Sequence, residues 1–304
     1  GQSALIWAAM SCTVLWLFAG RVYGQITTVI DSPPESAPNA IDSNTQLNLS
    51  AGGVLQSDFD AGNFDGTSAS VEVNILGGSV GQRFDAYRGS AVNISGGIMG
   101  DAFRAFDGSS IRILGGEFRL DGVPVSGLET EGSTLAMDVP QDVALTGTLS
   151  DGTPFAFASR DGDSFAASTL TLETTALPPI GPSLITALPG AIPPGIRAGQ
   201  TLLVSNGVIV PDSFNAGLGS TLIVDLGGRA AGSVGDNLEA VNAQVTISGG
   251  AVGDRFDAFD GSTVDLSDGS IGLRFSAFNS STVNISGGSV GAFFDVFGRS
   301  TVNI

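Results

Sequence analysis

The sequence of 304 residues contains neither histidine nor lysine. These two absences exclude a histidine-based catalytic triad, a zinc site built from the usual ligands and a phosphate-binding Gly-x-x-x-x-Gly-Lys loop. The single cysteine, Cys12, lies in an apolar N-terminal stretch, so residues 25–304 hold no disulfide bond and no cysteine nucleophile. Tryptophan is confined to the same stretch, and Tyr87 is the only tyrosine beyond residue 24, which leaves little material for an aromatic carbohydrate groove.

Positive charge is scarce as well. All 12 basic residues are arginine, against 30 acidic residues, and the net charge is −18. Such a charge repels nucleic acids and anionic membranes, so we expect no nucleic-acid partner. The 44 glycines are compatible with disorder, but a hydrophobic content of 42% and regular strand patterning predict a folded chain.

What the sequence has in abundance is repetition. Residues 243–299 are three consecutive 19-residue segments of nearly the same sequence, and a fourth segment begins as STVNI and stops at Ile304. A short fixed period is typical of a solenoid, in which each coil stacks on the one before. The equivalent apolar positions are Val245, Val264, Val283 and Val302, and also Phe256, Phe275 and Phe294.

Within one repeat, Val283 and Ile285 alternate with Asn284, which predicts a short strand with its apolar side chains on one face. Gly287 and Gly288 follow at a predicted corner that needs a positive φ. Three short strands separated by glycine corners predict one coil of a parallel β-solenoid in an all-β protein. Stacked coils place like residues above one another, with polar rows of Thr246, Asp265, Asn284 and Asn303, and of Asn74, Asn93 and Arg112.

Another array, with regular coils beginning at Val73, Val92 and Ile111, lies earlier in the chain and precedes a segment without the repeat. We expect antiparallel strands there, at residues 143–149, 154–158 and 168–173, followed by a proline-rich stretch at residues 177–194. The predicted division is a signal peptide at 1–24, a linker at 25–44, a first solenoid array at 45–132, a hairpin cap and proline-rich connector at 133–199, and a second array at 200–304.

The apolar run from Ala4 to Ala19 carries the signal-peptide prediction, because it is short for a membrane span. We therefore expect an exported protein that meets a membrane only through this leader or through an anchor beyond Ile304. The sequence lacks an initiator methionine and ends within a repeat, so we expect it to be part of a longer protein.

Three patterns are candidates for functional sites. Residues 249–254 resemble a calcium-binding glycine-rich loop but carry one apolar residue too many, so calcium on an acidic face is the one cofactor left open. Asp254, Asp257, Asp260 and Asp265 are spaced for glycoside chemistry, yet a solenoid pairs acids everywhere through its repeat. We expect no catalytic, cofactor-binding or metal-binding residue. The third pattern is the repeated phenylalanines, which would form a platform for sugars if they were exposed, but we expect them inside the coils. Those are Phe84, Phe103, Phe256, Phe275 and Phe294.

The repeat S-x-V-N-I-S-G-G-x-V-G-x-x-F-D-A-F-x-G, with a Leu-Pro-Pro-Ile-Gly-Pro connector at residues 177–182, resembles secreted bacterial repeat proteins. These are the β-solenoid passengers of autotransporters and adhesin-like surface proteins, and similar repeats are also labelled cycloinulo-oligosaccharide fructanotransferase-like. The resemblance covers Thr45 to Ile304. It implies an exported structural or adhesin-like scaffold that contacts cell-surface or matrix components, including polysaccharide. The alternative is a β-helical carbohydrate-active enzyme or a polysaccharide-binding module.

Overall fold

The computed structural model describes residues 25–139, 143–158, 162–165, 168–205, 207–226 and 232–304. The regular secondary structure of these residues is β-strand, which confirms the all-β class. A search of the same residues finds no helix with the length and apolar character of a membrane span. The predicted signal peptide lies outside the described residues.

The chain forms two β-solenoids, one after the other. The strands of the first solenoid are β1 (Thr28–Ser32), β2 (Ala40–Ile41), β3 (Thr45–Leu49), β4 (Val54–Leu55), β5 (Phe59–Ala61), β6 (Val71–Val80), β7 (Phe84–Ala86), β8 (Ser90–Ile98), β9 (Arg104–Ala105), β10 (Ser110–Leu120), β11 (Val123–Pro124), β12 (Thr134–Met137), β13 (Ala144–Leu149), β14 (Pro154–Ala158) and β15 (Thr169–Thr174).

The strands of the second solenoid are β16 (Leu184–Thr186), β17 (Gly195–Ile196), β18 (Thr201–Val204), β19 (Ile209–Val210), β20 (Asn215–Ala216), β21 (Thr221–Val224), β22 (Ser233–Val234), β23 (Glu239–Val241), β24 (Gln244–Val252), β25 (Asp257–Phe259), β26 (Thr263–Ile271), β27 (Ser276–Ala277), β28 (Thr282–Ile285), β29 (Ser289–Val290), β30 (Asp295–Val296) and β31 (Thr301–Asn303).

Each solenoid has one long and one short parallel sheet. In the first solenoid the long sheet runs through β1, β3, β6, β8, β10 and β15, and the first short sheet is β2, β5, β7 and β9. In the second solenoid the long sheet runs from β16 to β31, and the second short sheet is β17, β20, β23, β25, β27 and β30. The parallel register repeats every 19 residues in the regular coils, as the alignment of Val264 with Val283 illustrates, so the predicted parallel solenoid is confirmed.

Inward-facing phenylalanines form a column in each core, as the repeat predicts. Phe256 stacks on Phe275, and Phe275 on Phe294, with ring centroids 4.8 Å apart in both pairs. Phe84 stacks on Phe103 at the same spacing in the first solenoid. This spacing equals the distance of about 4.8 Å between neighbouring strands, because each ring sits directly above its equivalent.

The predicted polar rows also form, although Arg112 at the end of the first row donates to Glu173 of β15 at 2.9 Å. Asn284 donates a side-chain hydrogen bond of 2.7 Å to Asp265, and Asn303 donates one of 2.7 Å to Asn284. In the first solenoid, Asn93 donates to Asn74 at 2.8 Å. Each amide thus satisfies the next along the stack.

The strand pairings correct the predicted boundaries. The segment predicted as a linker at residues 25–44 forms the first coil, because Thr28–Ser32 pairs in parallel with β3. The first solenoid extends past residue 132 to Thr174, because β15 continues its long sheet on β10. Part of the predicted connector, Leu184–Thr186, is the edge strand of the second long sheet. An edge position suits this proline-rich stretch, because an edge strand pairs on one side only.

The antiparallel cap is an insertion into a coil rather than a separate unit after the array. β13 and β14 form the predicted hairpin, which pairs with the far end of β10. After the hairpin the chain returns to the solenoid, where Ser164 pairs in parallel with Arg104. The third strand predicted for the cap, at residues 168–173, therefore belongs to the solenoid as β15, although its outer edge pairs antiparallel with β12.

Most glycine pairs lie within a long strand that bends at them, whereas the sequence predicts that each pair ends a short strand. β24 and β26 run through their glycine-containing segments with a shift in register, where the sequence predicts separate strands. Gly288 has a φ of +77°, as predicted for its corner. A Cβ atom at this position would lie 2.9 Å from the carbonyl oxygen of Gly269 in the coil below.

The interface and cleft between the two solenoids

The second short sheet packs against the hairpin β13–β14 of the first solenoid. Strand alternation directs Phe256 and Ala258 inward, and it directs Asp257 and Phe259 outward. Phe259 and its neighbour in the next coil, Phe278, are nevertheless only 1% and 5% exposed. The outer face of the hairpin covers them with three small side chains, Ala144, Ala156 and Ala158.

Two polar contacts flank this apolar interface. The guanidinium of Arg255 in the second solenoid donates to the carboxylate of Asp101 in the first, at 3.3 Å. The side-chain amide of Asn279 donates to Asp121 at 2.8 Å. Both contacts join residues more than 150 positions apart in sequence. The two solenoids therefore lie side by side in a defined register.

A cleft of about 690 Å³ opens beside the interface, and we call it the inter-solenoid cleft. The second solenoid supplies a wall in which successive coils repeat the same three rows. The corner row is Arg255, Arg274 and Phe293; the polar row is Asp257, Ser276 and Asp295; and the aromatic row is Phe278 and Phe297. The first solenoid supplies the opposite wall with Gln82, Arg83, Asp101, Ala102 and Gly162.

Behind this cleft lie buried carboxyl groups. Glu239 precedes Asp257 in the polar row of the second short sheet, where the two are register partners. Burial raises the pKa of Glu239 well above its usual value, and the negative charges of Asp101, Asp163 and Asp257 raise it further. The interface thus gathers acids from both solenoids in one place.

Asp163 and Asp101 have structural partners within this group. The Asp163 carboxylate accepts backbone N–H groups from Phe103 at 2.6 Å and Ala158 at 2.8 Å, so it ties the hairpin to the coil beside it. Burial still raises the pKa of Asp163 well above its usual value. Burial also raises the pKa of Asp101, and the nearby Arg255 opposes that shift.

The acids singled out from the sequence separate into different roles. Asp254 accepts the backbone N–H of Leu273 at 2.8 Å, which is a link between coils. Asp265 accepts from Asn284 in the polar row of the long sheet. Asp257 lies in the cleft wall. Burial raises the pKa of Asp260 to about 6 at the far side of the interface, where Asn279 donates to it.

The repeat alone therefore does not account for this cluster of acids. The cluster contains Asp101 and Asp163 from outside the second array, and these are brought to it by the packing of one solenoid on the other. No spacing within one repeat contains this information. One feature of the sequence could have predicted the interface. Strand alternation places Phe259 and Phe278 on the outside of their coils, and an apolar row there indicates a surface that another element covers.

The 19-residue period places an arginine next to Asp85 in the following coil. Asp85 and Arg104 are register partners, and the Arg104 Nε donates to the Asp85 carboxylate at 2.6 Å. The described residues contain no group of three or more acidic or cysteine side chains arranged to hold a metal ion. Calcium on an acidic face, which the sequence leaves open, stays untested.

Comparison with known proteins gives little. No family model matches the sequence, and no curated protein matches it significantly. One solved structure that matches is the crystal structure of a TibC-catalysed hyper-glycosylated TibA55-350 fragment. The match covers 91% of this chain and 92% of that one at 12% identity, with a TM-score of 0.21. A score this low does not superimpose the two folds, so no residue role is transferred from it.

Proposed function

We propose that the protein is an exported, adhesin-like scaffold that presents a rigid pair of β-solenoids to cell-surface or matrix components. The observation that carries this proposal is the burial of Phe259 and Phe278 under the hairpin β13–β14. It locks two stacks into one body, which is what a scaffold needs if its faces are to keep a fixed relation. Signal-peptide-like residues 4–19 support export.

The chemistry of the interface favours this role over catalysis. A glycosidase needs two carboxyl groups on either side of a bound substrate, one to donate a proton and one to act as base or nucleophile. Here Asp163 is bonded to two backbone amides and Asp101 to Arg255. Asp163 therefore ties the hairpin to its own solenoid, and Asp101 joins the two solenoids. We propose that the described chain is not an enzyme.

Three experiments test the proposal. Antibodies raised against residues 25–304 should label intact cells of the organism of origin, and beads coated with the protein should adhere to extracellular matrix or cell surfaces. Labelling only after cell lysis, or beads that adhere no better than beads coated with albumin, would contradict it. Incubation with inulin and other polysaccharides should release no oligosaccharide. Release that is abolished by Asp257→Asn in a folded variant would establish an enzyme instead.

A further inference from the structure

The inter-solenoid cleft has a chemical pattern that the scaffold role alone does not need. The residues that line it include three arginines, Arg83, Arg255 and Arg274, and three aspartates, Asp101, Asp257 and Asp295. The positive and negative charges therefore balance inside the cleft, whereas the chain as a whole carries a net charge of −18. An anionic ligand would be repelled by the molecule and a cationic ligand would meet three guanidinium groups, so a neutral ligand fits best.

The arrangement of these groups is periodic. Arg255, Arg274 and Phe293 occupy the same corner in successive coils, each with a φ near +60°. The coils are about 4.8 Å apart, so the wall offers one corner side chain and one polar-row side chain at each regular step over about 10 Å. A ligand that matches such a wall is itself a chain of similar units in extended form.

Two cleft side chains are especially open to a ligand. The ring of Phe293 is 68% exposed at the corner of its coil, an unusual setting for a phenylalanine. Arg274 is exposed in the preceding coil and forms no ion pair with any described residue. An aromatic ring offers an apolar surface to the C–H groups of a sugar, and guanidinium and carboxylate groups hydrogen-bond its hydroxyls.

We propose that the inter-solenoid cleft binds a neutral, linear oligosaccharide or polysaccharide along the solenoid axis. Phe293 packs on a sugar ring, Arg274 and Asp295 bond hydroxyls, and Gln82 and Arg83 contact the ligand from the opposite wall. The inference rests on the proposed adhesin-like function and gives it a ligand class. The proposal involves binding alone, and the saccharide undergoes no chemical reaction in the cleft.

The test is isothermal titration calorimetry of the protein with inulin, cellohexaose, maltohexaose and xylohexaose, and with polygalacturonate as an anionic comparison. We expect at least one neutral saccharide to bind and polygalacturonate to bind at least tenfold more weakly. Arg274→Ala and Phe293→Ala should each weaken that binding by roughly tenfold, the effect of losing one charge-assisted hydrogen bond or one aromatic contact. Both residues are exposed, so circular dichroism should show unchanged folding.

The matched controls are Phe64→Ala, which removes an 85% exposed ring on the first solenoid, and Arg299→Ala, which removes an arginine that does not line the cleft. Both should leave binding unchanged. The proposal is overturned if no neutral saccharide of the panel binds at millimolar concentration, or if the controls weaken binding as much as the cleft variants. Either result would leave the adhesion of coated beads as a separate test of the scaffold.

Discussion

At the scale of single residues, the buried carboxyl groups of the interface decide how stability depends on pH. Asp260 is 6% exposed, and its pKa is raised to about 6 from an ordinary value of 3.8. Burial raises the pKa values of Glu239 and Asp163 in the same direction. The folded protein therefore binds protons more readily than the unfolded chain in this range. The stabilisation from this proton uptake is complete below about pH 4 and is lost as the pH rises through 6.

The raised pKa of Asp260 predicts a pH-dependent effect of Asp260→Asn. The variant cannot lose a proton, so the free energy of unfolding of the variant minus that of the wild type should increase by roughly 2 kcal/mol between pH 4 and pH 7.5. Urea denaturation of both proteins at the two pH values measures the difference. An equal difference at both values would mean that Asp260 titrates normally.

A second residue-scale prediction concerns the corner at Gly288. Gly288→Val forces a β-branched residue to a φ of +77° and places its Cβ 2.9 Å from the Gly269 carbonyl oxygen. We expect a loss of at least 1 kcal/mol in the free energy of unfolding. Gly199→Val is the matched control, because Gly199 has a φ of +76° but no atom lies within 4 Å of the place its Cβ would take.

The control should lose only the part due to backbone strain, so Gly288→Val should have the lower melting temperature. Equal melting temperatures for the two variants would show that close approach of the coil below contributes nothing. A Gly288→Val protein that melts like the wild type would contradict the corner assignment itself.

At the scale of elements, the two short sheets carry equivalent outward faces in different surroundings. Tyr87 and Phe106 stack at 5.0 Å on the first short sheet, as Phe259 and Phe278 do on the second. The hairpin β13–β14 covers only the second pair. In the first pair, Phe106 is 36% exposed. Because Tyr87 and Phe106 are stacked, they present the edges of their rings to solvent and not the faces. The pair is therefore a poor platform for sugars.

This difference gives a paired prediction. Phe259→Ala should lower the free energy of unfolding by about 3–4 kcal/mol, because it leaves a cavity between the solenoids. Tyr87→Ala, at the equivalent position in the exposed sheet, should lower it by about 1 kcal/mol. Chemical denaturation of the two variants measures both values. Equal losses would mean that Phe259 gains nothing from the hairpin.

Much of each element was predictable from the sequence. The 19-residue spacing of Val264 and Val283 predicts the parallel register, and the polar rows follow from it. The first coil at Thr28–Ser32 was not predicted, because an end coil needs few apolar residues and its prolines resemble a linker. The return of the chain at β15 was missed for a similar reason. Its partner β10 lies across a long insertion, and local pattern says nothing of such pairing.

At the scale of the whole molecule, the packing of one solenoid on the other creates the cleft and the acid cluster. The sequence contains its parts, such as Arg255 and Asp101, but they are 154 residues apart. Periodicity describes neighbours along one stack and carries no information about the angle or offset between two stacks. The candidate site was therefore absent from the sequence-based expectations, whereas the coils that compose it were present.

An engineered disulfide tests whether the two solenoids pack side by side through the hairpin. A Cβ atom on Gly122 of the first solenoid would lie 3.2 Å from the Cβ of Asp260 in the second. That distance is close to the range for a disulfide, and residues 25–304 contain no other cysteine. Gly127→Cys with Asp260→Cys is the control, because Gly127 has no atom within 4 Å of such a Cβ.

The measurement is the fraction of free thiol in Gly122→Cys/Asp260→Cys after mild oxidation of the folded protein, read by mass spectrometry. The described packing predicts nearly complete intramolecular disulfide formation in this variant and free thiols in the control. Free thiols in both variants, with the solenoids folded by circular dichroism, would contradict the side-by-side arrangement.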